Sequence, residues 1–199
     1  NFESQPVFDS SGNVWRTAAD FPPRAAMTPL YLNASGGISS KSPGADGGST
    51  SYTSDPFHPR EISGTGFPGA KDARGFEQQA EVRTFTTEVL KQPVEWTGRI
   101  RAELFVSSTA KDTDFIVRVS DVYPDGRSIL ICDYPWRARY REGLDHEVLL
   151  KAGEPAKLAF DVGWISQVFN KGHQIRVTIA STGAPLYEPN PQTGEPLTI

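Results

Sequence analysis

The chain predicts an all-β fold of two packed sheets, a jelly-roll β-sandwich fronted by long Gly/Pro/Ser-rich N-terminal loops. Three observations lead there. Apolar residues recur at every second position between Trp96 and Ile179, a period that turns alternate side chains to opposite faces and gives each strand one dry face. Turn signals separate these runs at roughly 8–12-residue spacing, the rhythm of a sandwich. The stretch from Leu30 to Ala73 is dense in Gly, Ser and Pro, too polar to bury much and too varied in its turns for a plain linker.

In chain order, Asn1 to Thr28 is polar, carries Pro22-Pro23 and reads as a lead-in segment with one short strand around Val7-Phe8. Among the loops that follow, short strands are expected at Leu30–Leu32 and Ser49–Thr53. From Glu81 the strands become dense. Ile100, Ala102, Leu104 and Val106 alternate with Arg99, Arg101 and Glu103. Phe115, Val117, Val119 and Tyr123 share a face, with Ile116, Arg118 and Ser120 opposite. In Tyr123-Pro124-Asp125-Gly126 proline presets φ and glycine accepts a positive one, so the chain turns there into Arg127–Asp133 as a hairpin. Arg137, Arg139 and Arg141 are spaced to lie on one strand face. His146–Leu150 is expected to be a strand, followed after Lys151–Pro155 by another in which Ala156, Leu158, Phe160 and Val162 alternate with polar residues. Trp164, Ile165, Val168 and Phe169 have helical spacing and predict one or two helical turns plugging an end of the core. Asn170-Lys171-Gly172 introduces the last strand, His173–Ala180. Sheets that must each cover the other's apolar face favour Greek-key or jelly-roll connections.

A chain of 199 residues suits one all-β domain. Hydrophobic residues make up 37% and charged residues 22%, enough of each for a core under a polar surface. Twenty Lys and Arg against 24 Asp and Glu leave a net charge of -4, which argues against nucleic acid as a partner, because phosphates need a concentrated basic surface. No apolar run approaches the ~20 residues of a membrane span, so no membrane partner is expected. No leader pattern opens the chain, and the compartment stays open. Cys132 is the single cysteine and sits among Ile129, Leu130 and Ile131, which marks it as a buried, inert thiol.

Catalytic residues are not expected in this chain. The nearest approach to a nucleophile elbow is Gly47-Gly48-Ser49-Thr50-Ser51, which lacks the final glycine and a helical pattern after it. His58, His146 and His173 are the only histidines, and no serine or cysteine is placed to make any of them a base for nucleophilic attack. No zinc spacing is present, and neither metal nor cofactor is expected. Asp112 and Asp114 stand at a strand entrance, with Asp121 further along on the Phe115 face. An inward carboxylate needs a partner, since its burial alone costs several kcal/mol. Structural ion pairs with Arg137 and Arg139 are therefore expected. Calcium is the alternative, although no dense Asp/Asn/Gly ligand loop supports it.

Specific words then appear in order: Asp112-Thr113-Asp114-Phe115, Asp121 to Arg127, Arg137-Ala138-Arg139-Tyr140-Arg141, Gly172 to Arg176, Pro185, Pro189-Asn190 and Thr193-Gly194. Upstream stand Trp15, Phe21-Pro22-Pro23, Leu30-Tyr31-Leu32, Gly36-Gly37, Tyr52 with Asp55-Pro56, Phe85 to Glu88 and Pro93-Val94-Glu95. This ordered set resembles the C-terminal non-catalytic domain of the cocaine esterase and X-Pro dipeptidyl-peptidase (CocE/NonD) family of serine hydrolases, and it covers most of the chain. Gln174, where arginine is usual, and Trp136, where the family often has a glycine-led apolar pair, depart from its pattern.

The resemblance implies a galactose-binding-like jelly roll over residues 29–199, with residues 1–28 leading in from an α/β-hydrolase domain that lies upstream. Leu197-Thr198-Ile199 falls short of the family's last strand, so the sandwich is expected to lack it. A Ser-Asp-His triad in the upstream domain, cleaving acyl esters or X-Pro peptides, leaves no catalytic residue to assign here. The domain is expected to buttress its catalytic partner and shape the active-site mouth, with self-association as a further option. In the family, the loop entering the sandwich approaches that mouth. Its match, from Gly64 to Phe76, offers Phe67, Gly75 and Phe76 as substrate-mouth or interdomain contacts, with Phe67 and Phe76 exposed in the isolated domain. The alternative from a different class is a carbohydrate- or peptide-binding sandwich presenting Trp15, Trp96, Trp136 or Trp164.

Overall fold

A computed structural model describes residues 17–23, 25–44, 47–62 and 72–195. The expected strand around Val7-Phe8 lies outside them. Among the described residues the strands run in the order β1 (Tyr31–Leu32), β2 (Ile38–Ser39), β3 (Arg83–Thr86), β4 (Val94–Val106), β5 (Asp114–Val122), β6 (Ser128–Arg137), β7 (Ala156–Phe169) and β8 (Gln174–Ala180). One four-residue helix, α1 (Arg74–Glu77), and a 3-10 turn at Ala138–Tyr140 complete the elements. All named strand pairs are antiparallel.

Two sheets carry the architecture: a four-stranded one in the order β3-β8-β5-β6 and a long ribbon of β4 with β7. One core lies between them. Phe115 and Val117 of β5 pack with Ala102 of β4 and with Leu158, Phe160 and Val162 of β7, the inward positions that the two-residue period marks. The hairpin after β5 closes where expected, with Gly126 at φ +87, Tyr123 N–H donating to the Arg127 carbonyl at 2.8 Å and Gly126 N–H to the Tyr123 carbonyl at 2.9 Å.

The four-stranded sheet is dry on both faces at its central strand β5. Every residue of β5 is buried, because a second layer of loops, carrying Ile62, Phe76, Val82 and Tyr187, covers the face opposite the ribbon. Short bridges tie this layer down: Gly37 to Thr86, Glu61 to Ala184 and Asp72 to Ile129. The Ile116, Arg118, Ser120 face is therefore interior too.

Four expectations are corrected. Residues 164–169 are not helical; β7 runs on to Phe169, which pairs with Val94. A register shift between Ile100 and Arg101 changes the inward phase, so that Val162, Ile165 and Phe169 all reach the interior at gaps of three and four that imitate a helix. Trp164 consequently points outward and is 57% exposed. Ser49–Thr53 is extended but joins no ladder; Arg83 holds it instead, through Thr50 Oγ1 at 3.2 Å and the Ser51 carbonyl. His146–Leu150 likewise forms no strand; its backbone amides make separate bonds and no ladder, Val148 N–H to the Arg139 carbonyl at 2.8 Å and Leu150 N–H to the Lys111 carbonyl at 2.7 Å. The three arginines do not share a strand face, because β6 ends at Arg137 and the 3-10 turn fans the other two apart.

Candidate functional site

The densest polar cluster sits where β5 begins and β6 ends. The 3-10 turn after β6 drops Arg139 beneath the start of β5, where it is 0% exposed. Its Nε donates to Asp112 Oδ2 at 2.7 Å and its backbone N–H to Asp112 Oδ1 at 3.0 Å. Its Nη1 lies 3.2 Å from both oxygens of Glu147, and Nη1 and Nη2 each lie 3.1 Å from the Glu195 carbonyl. One turn earlier, Arg137 grips Asp114 through Nε at 2.8 Å and Nη2 at 3.0 Å. Asn190 joins the two pairs, its Nδ2 donating to Asp112 Oδ2 and Asp114 Oδ1, both at 2.8 Å. Arg141 turns away to the carbonyls of Ala138, Val148 and Leu149. The two carboxylates are thus saturated by donors, and the cluster knots the C-terminal segment to both strands.

Asp121 is not part of this cluster. Its Oδ1 lies 2.8 Å from His173 Nδ1, and both residues are buried. An imidazole held by a carboxylate is two thirds of a triad. The third group is missing: among the described residues no serine, threonine or cysteine bonds His173, and the Tyr123 ring packs on the imidazole at 4.4 Å between centroids. A second buried couple joins α1 to the sheet. Glu77 accepts from Ser128 Oγ and from Arg176 Nη1, both at 2.6 Å. Here a serine and a carboxylate meet without a base.

Of the proposed mouth residues, Phe67 lies outside the described residues, while Gly75 and Phe76 sit in α1. Phe76 is not exposed as expected; it is 0% exposed, capped by the Arg118 guanidinium 4.8 Å from its ring centroid. The cause is the loop layer, which uses this ring to close the outer face of β5. Arg118 is itself 3% exposed and 3.4 Å from Asp133 Oδ2, and burial pulls its guanidinium below its ordinary pKa. Asp133 also accepts from Tyr187 Oη at 3.1 Å. The sequence signal for this inner layer was available in principle: a charge in the middle of an apolar strand must have a covered partner. The His173 and Ser128 couples bridge 52 and 51 residues, a separation that no local pattern spans.

Cys132 is pushed up to about 11, first by burial and then by Asp133, so it is a protonated thiol at neutral pH. Trp15 lies outside the described residues, Trp96 packs edge-on against Phe169 at 5.2 Å and Trp136 stacks on Phe160. No group of three or more His, Cys, Asp or Glu is placed to hold a metal among the described residues.

Comparison with known proteins gives these groups a setting. Residues 3–198 match the family model described as X-Pro dipeptidyl-peptidase C-terminal non-catalytic domain. The chain is 41% identical over 196 residues to a cocaine esterase from Rhodococcus sp. strain MB1 Bresler, covering 90% of this chain and 34% of that protein. It is 30% identical over 205 residues to a putative serine esterase from Mycobacterium bovis, covering 86% and 31%. Among solved structures it resembles an aminopeptidase from a marine sediment Thaumarchaeota archaeon, with a TM-score of 0.87, 27% identity and coverage of 95% and 34%. It also resembles an α-amino acid ester hydrolase, with a TM-score of 0.81, 29% identity and coverage of 92% and 33%. The chain therefore spans about a third of the length of the relatives it matches.

Proposed function

The chain belongs to the X-Pro dipeptidyl-peptidase C-terminal non-catalytic domain family, and from that premise we propose that it buttresses an upstream α/β serine hydrolase domain and shapes the mouth of its active site. The relatives are named as esterases and an aminopeptidase, so acyl esters or amides, X-Pro peptides among them, are the substrate class assigned to the whole polypeptide. Residues 1–28 serve as the lead-in from the catalytic unit, and residues 29–199 form the supporting sandwich.

The observation that carries this reading is the Asp121–His173 couple. It is the described arrangement with the most triad-like chemistry, and it has no nucleophile. Its work is to fix the turn before β8, where His173 N–H donates to the Asn170 carbonyl at 3.1 Å. Similar logic applies at α1. Burying Phe76 and tying Glu77 to Ser128 and Arg176 clamps α1 against the four-stranded sheet, the fixed packing that a supporting domain needs.

The test uses the full-length polypeptide. Phe169→Ala removes a fully buried ring from the core of the β domain, at a cost of about 3–5 kcal/mol. Buttressing requires the midpoint of thermal inactivation to fall together with the melting midpoint of the β domain. Inactivation that stays in place while the domain melts earlier overturns the reading.

A further inference from the structure

Where β6 and β7, the edges of the two sheets, approach each other, they leave a groove of about 460 Å³ that none of the pairings above uses. Its floor is aromatic. Trp136 lies flat on Phe160, with centroids 5.3 Å apart and 4° between planes, and Tyr134 leans on both at 6.4 and 6.5 Å. Stacked rings of this kind form a rigid shelf that loses little entropy on contact. Trp164 stands on the rim, and Tyr134 is 45% exposed. Two arginines and one carboxylate complete the lining: Arg99 reaches Asp161 at only 3.5 Å across a half-exposed gap, and Arg101 stands opposite Asp161 in the β4–β7 register, which leaves a net positive charge at the rim.

Exposed Trp and Tyr with Arg at the margin is the composition of an interface core. The path of the chain indicates what covers it. Gly98 has φ +132, and a side chain there would meet Pro22 at 3.4 Å, so the lead-in segment crosses β4 at this glycine. Gly98 adjoins Arg99 and pairs with Ile165, the neighbour of Trp164. Phe21, next to the crossing, is itself 58% exposed. The family is by description C-terminal, and about two thirds of the length of the relatives lies outside the match.

We propose that this groove is the seat of the upstream catalytic domain, which sets apolar side chains on the Trp136–Phe160 shelf and carboxylates against Arg99 and Arg101. The inference rests on the buttress reading and assigns that reading a face. Its test is hydroxyl-radical footprinting of the full-length protein, with Phe57, Phe105 and Leu144, all strongly exposed, as internal standards. After correction for intrinsic reactivity, Trp164 and Tyr134 should oxidise about five-fold or more slowly than those standards, as expected beneath a protein interface. If they oxidise as freely as the standards while another face is protected, the inference fails and the buttress reading stands. If no face of the domain is protected, the buttress reading fails as well. Protection that appears only as rising concentration drives self-association overturns the inference in favour of a second copy of the chain.

Discussion

At the level of single residues, charges buried with their partners hold the domain together. Arg139→Ala would leave Asp112 buried with only the Arg139 backbone N–H and Asn190 as donors. Removing one member of a buried pair costs about 3–5 kcal/mol, and urea unfolding should show a loss of that size. Lysine should not restore it, since a point charge cannot replace a fork that meets Asp112, Glu147 and the Glu195 carbonyl at once; recovery with Arg139→Lys would contradict the geometry. His173→Gln in the full-length protein should leave kcat on p-nitrophenyl acetate nearly unchanged below the melting temperature, whereas a fall of about 100-fold or more with intact folding would make His173 a base. Acid sensitivity follows from exposed and half-exposed carboxylates. Hydrogen bonds from Arg74 hold Asp72 below its ordinary pKa, and the Tyr140 hydroxyl and Arg139 do the same for Glu147. A carboxyl with a lowered folded pKa stabilises the fold above its unfolded value, and that gain disappears as pH falls through the folded one. The melting temperature should therefore hold steady down to about pH 5 and drop below about pH 4; a rise on acidification would refute these pairings.

At the scale of elements, β4, β5 and the first half of β7 were legible from the period of two, because the ribbon and the Phe115 face each need a dry side. Register was not. The shift between Ile100 and Arg101 turned the end of β7 into a helical-looking spacing, and only its partner strand distinguishes the two. Extended segments such as 49–53 look like strands in sequence because ladder pairing is a property of the neighbour. Asp112 and Asp114 announced a need for partners, and the arginine-rich stretch supplied candidates within reach. Asp121 announced the same need, but its partner lies across the sheet at His173. Gly98 gives a direct check on the β4 crossing. Alanine there would adopt a φ that side chains rarely take, its Cβ in ordinary contact with Pro22 at 3.4 Å, and the backbone strain should cost about 1–3 kcal/mol. An unchanged denaturation midpoint for Gly98→Ala would contradict the positive φ at this crossing.

At the scale of the whole molecule, the centre of a four-stranded sheet is buried on one face by a β-ribbon and on the other by loops, and buried ion pairs such as Glu77–Arg176 and Asp112–Arg139 tie these layers and the C-terminal segment to it. Fold alone leaves function open; the match to a non-catalytic C-terminal domain is what supports the proposal that bond cleavage belongs to another part of the polypeptide. The most direct measurement is to label the full-length protein with a fluorophosphonate and map the adduct by peptide mass spectrometry. The account requires the modified serine to lie outside these 199 residues. An adduct on a serine within them, Ser128 or Ser181 for example, would contradict it.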